Sequence, residues 1–370
     1  MRTRLRAAEF VFPGHPDKLC DAIADAIVAE GIRREQRALV GVEVAVHRHR
    51  VFVTGRVACK DATDIDVARV VRDVYRSAGY GPGWPPSPAE LVVDTALCLG
   101  PLEDGEAELR EVADDQAVCI GYANDLAETN ALPVEQWLVA RLARRLHALR
   151  EQIPALRLGP DGKVLVVVAE RPSEWSLADF TCSIQQHSAA DGVALHREVR
   201  RALEEELQAV AVCLPGFSPA LPEQLTVNGA GAFEVGGPEG DNGLSGKKLV
   251  MDAYGPRIPV GGGAWSGKDF HKADRAGGMH ARRFARFVVE LGLASEARVT
   301  LGWFPGDREA RVLGIETPPG QDVAVRRLAR CLDSSLRMSG ECFAAGELVD
   351  VARWGHFTDP VHPWETVGRL

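Results

Sequence analysis

The sequence predicts an α+β protein of two or three domains. Three observations carry this. Helical and strand periodicities alternate along the chain, but neighbouring strands adjoin as hairpins and no regular βαβ repeat appears. Its 370 residues exceed what one core usually holds. Glycine and proline cluster between the periodic stretches, most densely from Asn228 to Gly267.

The elements follow in order. Pro16 to Ile32 reads as a helix, with proline in its first turn and Leu19, Ile23 and Ile27 on one face. Ala38 to Val46 and Val51 to Cys59 alternate with period two around His47-Arg48-His49-Arg50, which predicts a hairpin. Asp64 to Ala78 reads as a helix and Gly81 to Pro88 as a loop. Gly100 to Asp115 is acidic and aperiodic, as expected of a mobile loop. Pro133 to Gln152 reads as an amphipathic helix whose Arg141, Arg144, Arg145 and Arg150 form a solvated face. Val164 to Glu170 and Asp179 to Gln186 read as strands, and Gly192 to Ala209 as a helix. Helix Lys272 to Leu291 and strand Ala297 to Phe304 follow the glycine-rich stretch. The tail is aromatic, with Trp354-Gly355-His356-Phe357 and Pro363-Trp364-Glu365.

Composition narrows the function. The 43 basic residues are outnumbered by 52 acidic ones, for a net charge of −9, which argues against a nucleic-acid partner. The chain is 46% hydrophobic and 26% charged, ordinary for a soluble enzyme. None of the eight cysteines forms a C-x-x-C pair, so they read as small buried hydrophobes of a reducing cytosol. There is no long apolar run and no signal-peptide pattern, so no membrane partner and a cytoplasmic location are expected.

Chemistry concentrates in Gly261-Gly262-Gly263-Ala264-Trp265-Ser266-Gly267-Lys268-Asp269, with Lys272 and Asp274 behind it. Glycines let backbone N–H groups approach an anion, lysines add charge, and a carboxylate can hold a divalent cation. Gly262 to Lys268 fits G-x-x-x-x-G-K, but Asp269 stands where a P-loop needs Ser or Thr, so this is a phosphate site of another design. Gly14-His15-Pro16-Asp17-Lys18 opens a helix, where free N–H groups and the dipole favour anions. In Gly236-Gly237-Pro238-Glu239-Gly240-Asp241, Asp241 could accept from a ribose hydroxyl or a base amine. Lys247 and Lys248 follow it. Pro160-Asp161-Gly162-Lys163 alone reads as a turn.

Together these segments resemble the S-adenosylmethionine synthetases. So do Asp115-Gln116…Gly121-Tyr122-Ala123, Gln186-His187-Ser188 and Gly355-His356-Phe357…Pro363-Trp364-Glu365, all collinear from residue 9 to 365. The resemblance implies three similar α+β domains around a pseudo-threefold axis. They fall at residues 1–100, with the metal and phosphate motif, at 113–231, and at 232–370, with the glycine-rich phosphate loop. It implies a homodimer that can pair into a tetramer, with ATP and a small thioether as substrates. It also implies transfer of adenosyl from ATP to L-methionine, followed by hydrolysis of tripolyphosphate to pyrophosphate and phosphate.

By the same resemblance, Asp17 and Asp274 hold two Mg²⁺ ions and Glu43 helps hold K⁺. His15, Lys163, Lys248, Lys268 and Lys272 are the catalytic phosphate contacts. Lys18, Asp161, Phe233, Asp241, Lys247, Gly262 and Gly263 contact ATP, Phe233 by stacking near adenine. Lys247 stands where the family usually has Arg, which keeps the charge but loses bidentate geometry. Glu9, Arg56 and Asp115 fall at the acceptor. The family usually has a glutamate at Arg56, contacting the methionine ammonium, and a glutamine in the loop that here looks shortened between Gly100 and Asp115. A guanidinium there predicts weak use of methionine, unless Arg56 pairs across the hairpin with Glu43. Other readings are a different acceptor, a polyphosphate hydrolase, or a non-catalytic regulatory subunit.

Overall fold

The computed structural model describes residues 3–321, 323, 330–343 and 347–366. Three sheets, each backed by helices, make up the α+β fold. In the first, β1 (Arg4–Val11) pairs antiparallel with β6 (Leu158–Arg171), which pairs with β7 (Glu174–Gln186). The short strands β8 (Phe217–Ser218) and β9 (Gln224–Val227) run parallel to β7. The second has the order β10 (Gly243–Leu244), β2 (Leu39–His47), β3 (Arg50–Ala58), β4 (Val92–Gly100). The third has the order β12 (Arg311–Glu316), β11 (Glu296–Trp303), β5 (Ala117–Asn124). Each sheet therefore joins strands from distant parts of the chain.

Helix α1 (Pro16–Arg34) packs on the second sheet and α2 (Val67–Ala78) packs on α1. Helices α4 (Val134–Gln152) and α5 (Gly192–Cys213) cover the first, and α7 (Ala273–Glu290) covers the third. The short helices are α3 (Glu106–Leu109), α6 (Leu249–Asp252), α8 (Leu336–Cys342) and α9 (Leu348–Trp354). Helix starts follow local capping chemistry. Asp66 accepts from the Arg69 N–H and so starts α2 at Val67, later than its apolar pattern suggests. Asp191 caps α5 in the same way.

Four expectations change. The basic face of α4 is paired rather than solvated: Arg141 meets Glu206 and Arg145 meets Glu205 on α5, Arg144 lies over the Trp354 ring, and Arg150 donates to Gly79 O at 2.8 Å. Asp161 lies inside β6, at a register irregularity between Leu158 and Gly162, rather than in a turn. The acidic stretch after β4 carries α3 and a fully buried Arg110 instead of being aperiodic. Of the cysteines, Cys98 and Cys331 are exposed, and Cys213 and Cys342 are half-buried.

A charged layer inside the core joins α1 to the glycine-rich stretch. Arg275 of α7 grips Asp25 of α1 with two bonds of 2.6 and 2.9 Å and donates to Lys268 O at 2.8 Å. Asp25 also accepts from the Gly267 N–H at 2.9 Å. Gly267 has φ +87°, and a Cβ there would meet Val42 O at 2.2 Å, so only glycine fits. The aromatic tail closes this layer: Phe357 stacks on Tyr254 with ring centroids 5.0 Å apart, and Trp364 Nε1 donates to His356 O at 2.7 Å.

Removing Asp25 leaves the Arg275 guanidinium unpaired in the core. Asp25→Ala is expected to cost about 3–5 kcal/mol of unfolding free energy in urea titration. A loss under about 1 kcal/mol, the range of exposed pairs, contradicts this role.

Candidate active site

Two cavities collect ten of the candidate residues, and their linings share none; Glu9, Asp17, Lys247, Lys248, Gly262 and Gly263 line neither. The first, about 420 Å³, is lined by His15, Asp161, Lys163, Phe233 and Asp241, with the Gly236-Gly237 backbone as part of its wall. The second, about 520 Å³, is lined by Glu43, Thr54, Asp114, Asp115, Lys268, Lys272 and Asp274.

In the first cavity the start of α1 sets the geometry. The backbone N–H of Asp17 donates to His15 Nδ1 at 3.2 Å, so Nδ1 carries a lone pair and the neutral ring bears its proton on Nε2. Burial, aided by the Lys248 ammonium, lowers the His15 pKa to about 4. His15 is thus a neutral hydrogen-bond donor at pH 7. Burial alone would raise the Asp17 carboxyl, but the Lys248 ammonium at 2.7 Å and the Leu244 N–H at 3.0 Å hold it below its ordinary range. Lys247 is more distant from Asp17, at 3.8 Å, and more exposed. Asp161 accepts from the Gly237 N–H at 2.7 Å, and burial pushes its pKa up to about 6. The Lys163 ammonium pairs with Glu9.

In the second cavity Lys268 pairs with Asp274 and Lys272 with Asp114. Gly263 packs on the Asp274 carboxyl group so closely that a Cβ would lie 2.1 Å from it. Gly262 has open space at its Cβ position. Among the described residues no three His, Cys, Asp or Glu side chains converge as a closed metal cage. Single carboxylates such as Asp17 and Asp274 nonetheless suit Mg²⁺, which usually takes one or two from the protein and completes its shell with phosphate and water.

Two expected ligands lie elsewhere. Lys18 points into the core, where its ammonium is fully buried against Asp252 and lies 3.5 Å from Asp21, so it cannot reach a triphosphate. Arg56 faces neither cavity nor Glu43. Its guanidinium grips Glu106 with bonds of 3.1 and 2.8 Å and lies 3.2 Å from Glu103. In the hairpin register Glu43 opposes Thr54 and Arg56 opposes Gly41, which leaves the loop carboxylates as the nearer partners.

Sequence reading missed Asp114, Ser183 and Asn228. Asp114 was legible as the first acid of the Asp114-Asp115 doublet. Asn228 adopts a left-handed φ of 49° and pins Ile184 with bonds at 2.8 and 3.1 Å, a role that asparagine at the head of a glycine stretch can signal.

Known proteins match this arrangement along the chain. The S-adenosylmethionine synthetase N-terminal domain matches residues 3–86, the central domain 110–233 and the C-terminal domain 235–366. An S-adenosylmethionine synthase of Synechococcus sp. (strain CC9311) is 33% identical over 98% of this chain and 94% of its own length. Those of Deinococcus deserti and Corynebacterium kroppenstedtii are 31% and 32% identical, over 98% and 100% of the chain and 96% and 98% of their own lengths. Fold and site chemistry together define an ATP-using transferase. More narrowly, the chain belongs to the S-adenosylmethionine synthetase family, as a divergent member.

The depressed His15 pKa makes stability depend on pH. The unfolded chain takes up this proton near 6.5 and the folded one near 4. The stability it contributes is therefore intact above pH 6.5 and lost as pH falls toward 4. Imidazole NMR titration of the full chain should place the His15 midpoint near 4. A midpoint above about 6 contradicts the neutral-donor assignment.

Proposed function

We propose that the protein transfers the adenosyl group of ATP to the sulfur of L-methionine and then hydrolyses the released tripolyphosphate to pyrophosphate and phosphate. The observation that carries this is the set of four lysine–carboxylate pairs, Lys163–Glu9, Lys248–Asp17, Lys268–Asp274 and Lys272–Asp114, around the two cavities. It occurs in a chain that matches S-adenosylmethionine synthases almost end to end.

The chemistry suits these residues. A thioether sulfur has no proton to lose, so displacement at C5′ needs no general base. The sulfur lone pair forms the S–C5′ bond while the C5′–O5′ bond breaks, and the triphosphate leaves with the electron pair. What the reaction needs is alignment and stabilisation of a highly anionic leaving group. Phe233 stacks near adenine and Asp241 accepts from the ribose. His15 Nε2–H donates to a phosphate oxygen without adding charge. The four lysines turn from their carboxylates to the phosphates. Asp17 and Asp274 would hold two Mg²⁺ ions and Glu43 K⁺; bound there, these cations supply Lewis-acid neutralisation of the phosphate oxygens.

Methionine is favoured over another acceptor because Arg56 is neutralised by Glu103 and Glu106 and does not line the second cavity. Repulsion of an ammonium, expected from the sequence, loses its source. Glu43, Asp114 and Asp115 give that cavity the negative charge an ammonium needs.

The reading includes a homodimer, with tetramers formed from pairs of dimers. Each chain presents two separate half-sites. Apolar side chains stand exposed on strands of the second and third sheets: Phe52 is 46%, Val118 54% and Leu313 52% accessible. A second copy would cover such surface and bring a nucleotide half against a phosphate half. No helix among the described residues is long and apolar enough to cross a membrane, and a cytoplasmic setting supplies ATP and methionine.

Mass spectrometry of reactions with ATP, methionine, Mg²⁺ and K⁺ tests this directly. The wild type should form S-adenosylmethionine, and Asp17→Asn and Asp274→Asn should each lower the rate by about 10²-fold or more. Absence of product from folded wild type, or full activity in both variants, refutes it.

A further inference from the structure

We propose that Arg110 is a positioning residue that makes segment 101–116 a fixed wall of the second cavity, set before any substrate arrives. Only the identity of the ligand rests on the function proposed above; the wall itself does not.

The buried Arg110 side chain pairs with Asp269 and donates to Ala38 O at 3.1 Å. Its own carbonyl accepts from His271 Nδ1 at 2.7 Å. Asp269 in turn accepts from the Val40 N–H at 2.7 Å and the His271 N–H at 2.8 Å. One buried polar knot thus joins the start of β2, the acidic segment and the end of the glycine-rich motif. Lys268 and Lys272 flank Asp269 and His271 in sequence, so the knot fixes the backbone that carries both ammonium groups. Asp269 is the residue that departs from the P-loop pattern, and here it serves as an anchor.

The rest of the segment is fastened outward from Arg110. On one side Arg56 grips Glu106, and Arg37 donates to Ala107 O at 2.9 Å. On the other, the Ala113 N–H donates to Asp307 O and Ala113 O accepts from the Gly306 N–H, both at 2.8 Å. Asp114 and Asp115 follow directly and line the cavity. The outer side-chain ties are only partly buried, and ion pairs open to solvent contribute little. The buried Arg110–Asp269 pair is costly to open, because opening it strands a charge in the core. That asymmetry makes Arg110 the anchor and Arg56–Glu106 a secondary tie.

Hydrogen exchange on the full-length protein tests this, alongside methionine kinetics. In the wild type, amides of Leu109, Arg110 and Ala113 should be protected without substrates, and ATP alone or methionine alone should leave them unchanged. Arg110→Ala should speed exchange across 103–116 by at least about tenfold while amides of α4 and α5 keep their rates. It should raise KM for methionine by about tenfold or more, with a smaller effect on kcat. Arg110→Lys should recover part of both. Glu106→Gln, which leaves the core untouched, should speed exchange only over 103–109. Wild-type amides that exchange freely and become protected on substrate addition would show a gate, and overturn the proposal. So would release of the whole segment by Glu106→Gln, or an Arg110→Ala effect spread evenly over the molecule with no KM–kcat split. Exchange is read without turnover, so an inactive wild type would refute the adenosyl-transfer reading and leave this test standing.

Discussion

The site depends on one constraint. A chain of net charge −9 must gather cations for a polyphosphate without leaving them unpaired. It does so by giving each lysine at the two cavities a carboxylate: Glu9, Asp17, Asp274 and Asp114. Three of these pairs are partly exposed and open at modest cost; in the fourth, Asp17 is buried and only Lys248 reaches solvent. A carboxylate that holds an ammonium can equally face a divalent cation, and the released ammonium can face a phosphate. Pairing therefore serves as both storage and preparation of charge.

Beneath these exchangeable pairs lies a layer that cannot exchange. Asp25–Arg275 is excluded from solvent, and Lys18–Asp252 and Arg110–Asp269 nearly so. They fasten α1, β2, α7 and the glycine-rich stretch to one another. This explains how segments more than two hundred residues apart reach one site. It also reassigns Lys18: within a motif that suggests an anion ligand throughout, this lysine is structural, while His15 lines the first cavity and the buried Asp17 pairs with Lys248. The Arg56–Glu106 contact belongs to a weaker tier, partly exposed and bidentate, and its main effect is to withdraw positive charge from the acceptor side.

Much of this was legible in the sequence. The first hairpin appears within a residue of its expected ends, because alternation there is regular and one face is buried. Strands β1, β4, β5 and β12 and the short β8, β9 and β10 were not read; β4, for one, is exposed or half-exposed throughout and carries no two-sided alternation. Asp161 looked like part of a turn because Pro-Asp-Gly carries turn chemistry, and the structure absorbs that as an irregularity in β6. The site residues His15, Lys163, Phe233 and Asp241 gather in one cavity, and Lys268, Lys272, Asp274, Glu43 and Asp115 in another. That division was invisible in the sequence. So were the burial of Lys18 and the partner of Arg56, because long-range ion pairs leave no local pattern.

The central claim is that two half-sites on one chain become whole sites only between two copies. Subunit complementation tests it most directly. Copies carrying His15→Ala are mixed with copies carrying Lys268→Ala, exchanged under mild denaturant and refolded. If the halves meet across a symmetric interface, each hybrid dimer holds one intact site, and a one-to-one mixture of two inactive variants should recover about a quarter of wild-type activity. Hybrid dimers that form, as shown by differential tagging, and yet recover no activity would contradict the account.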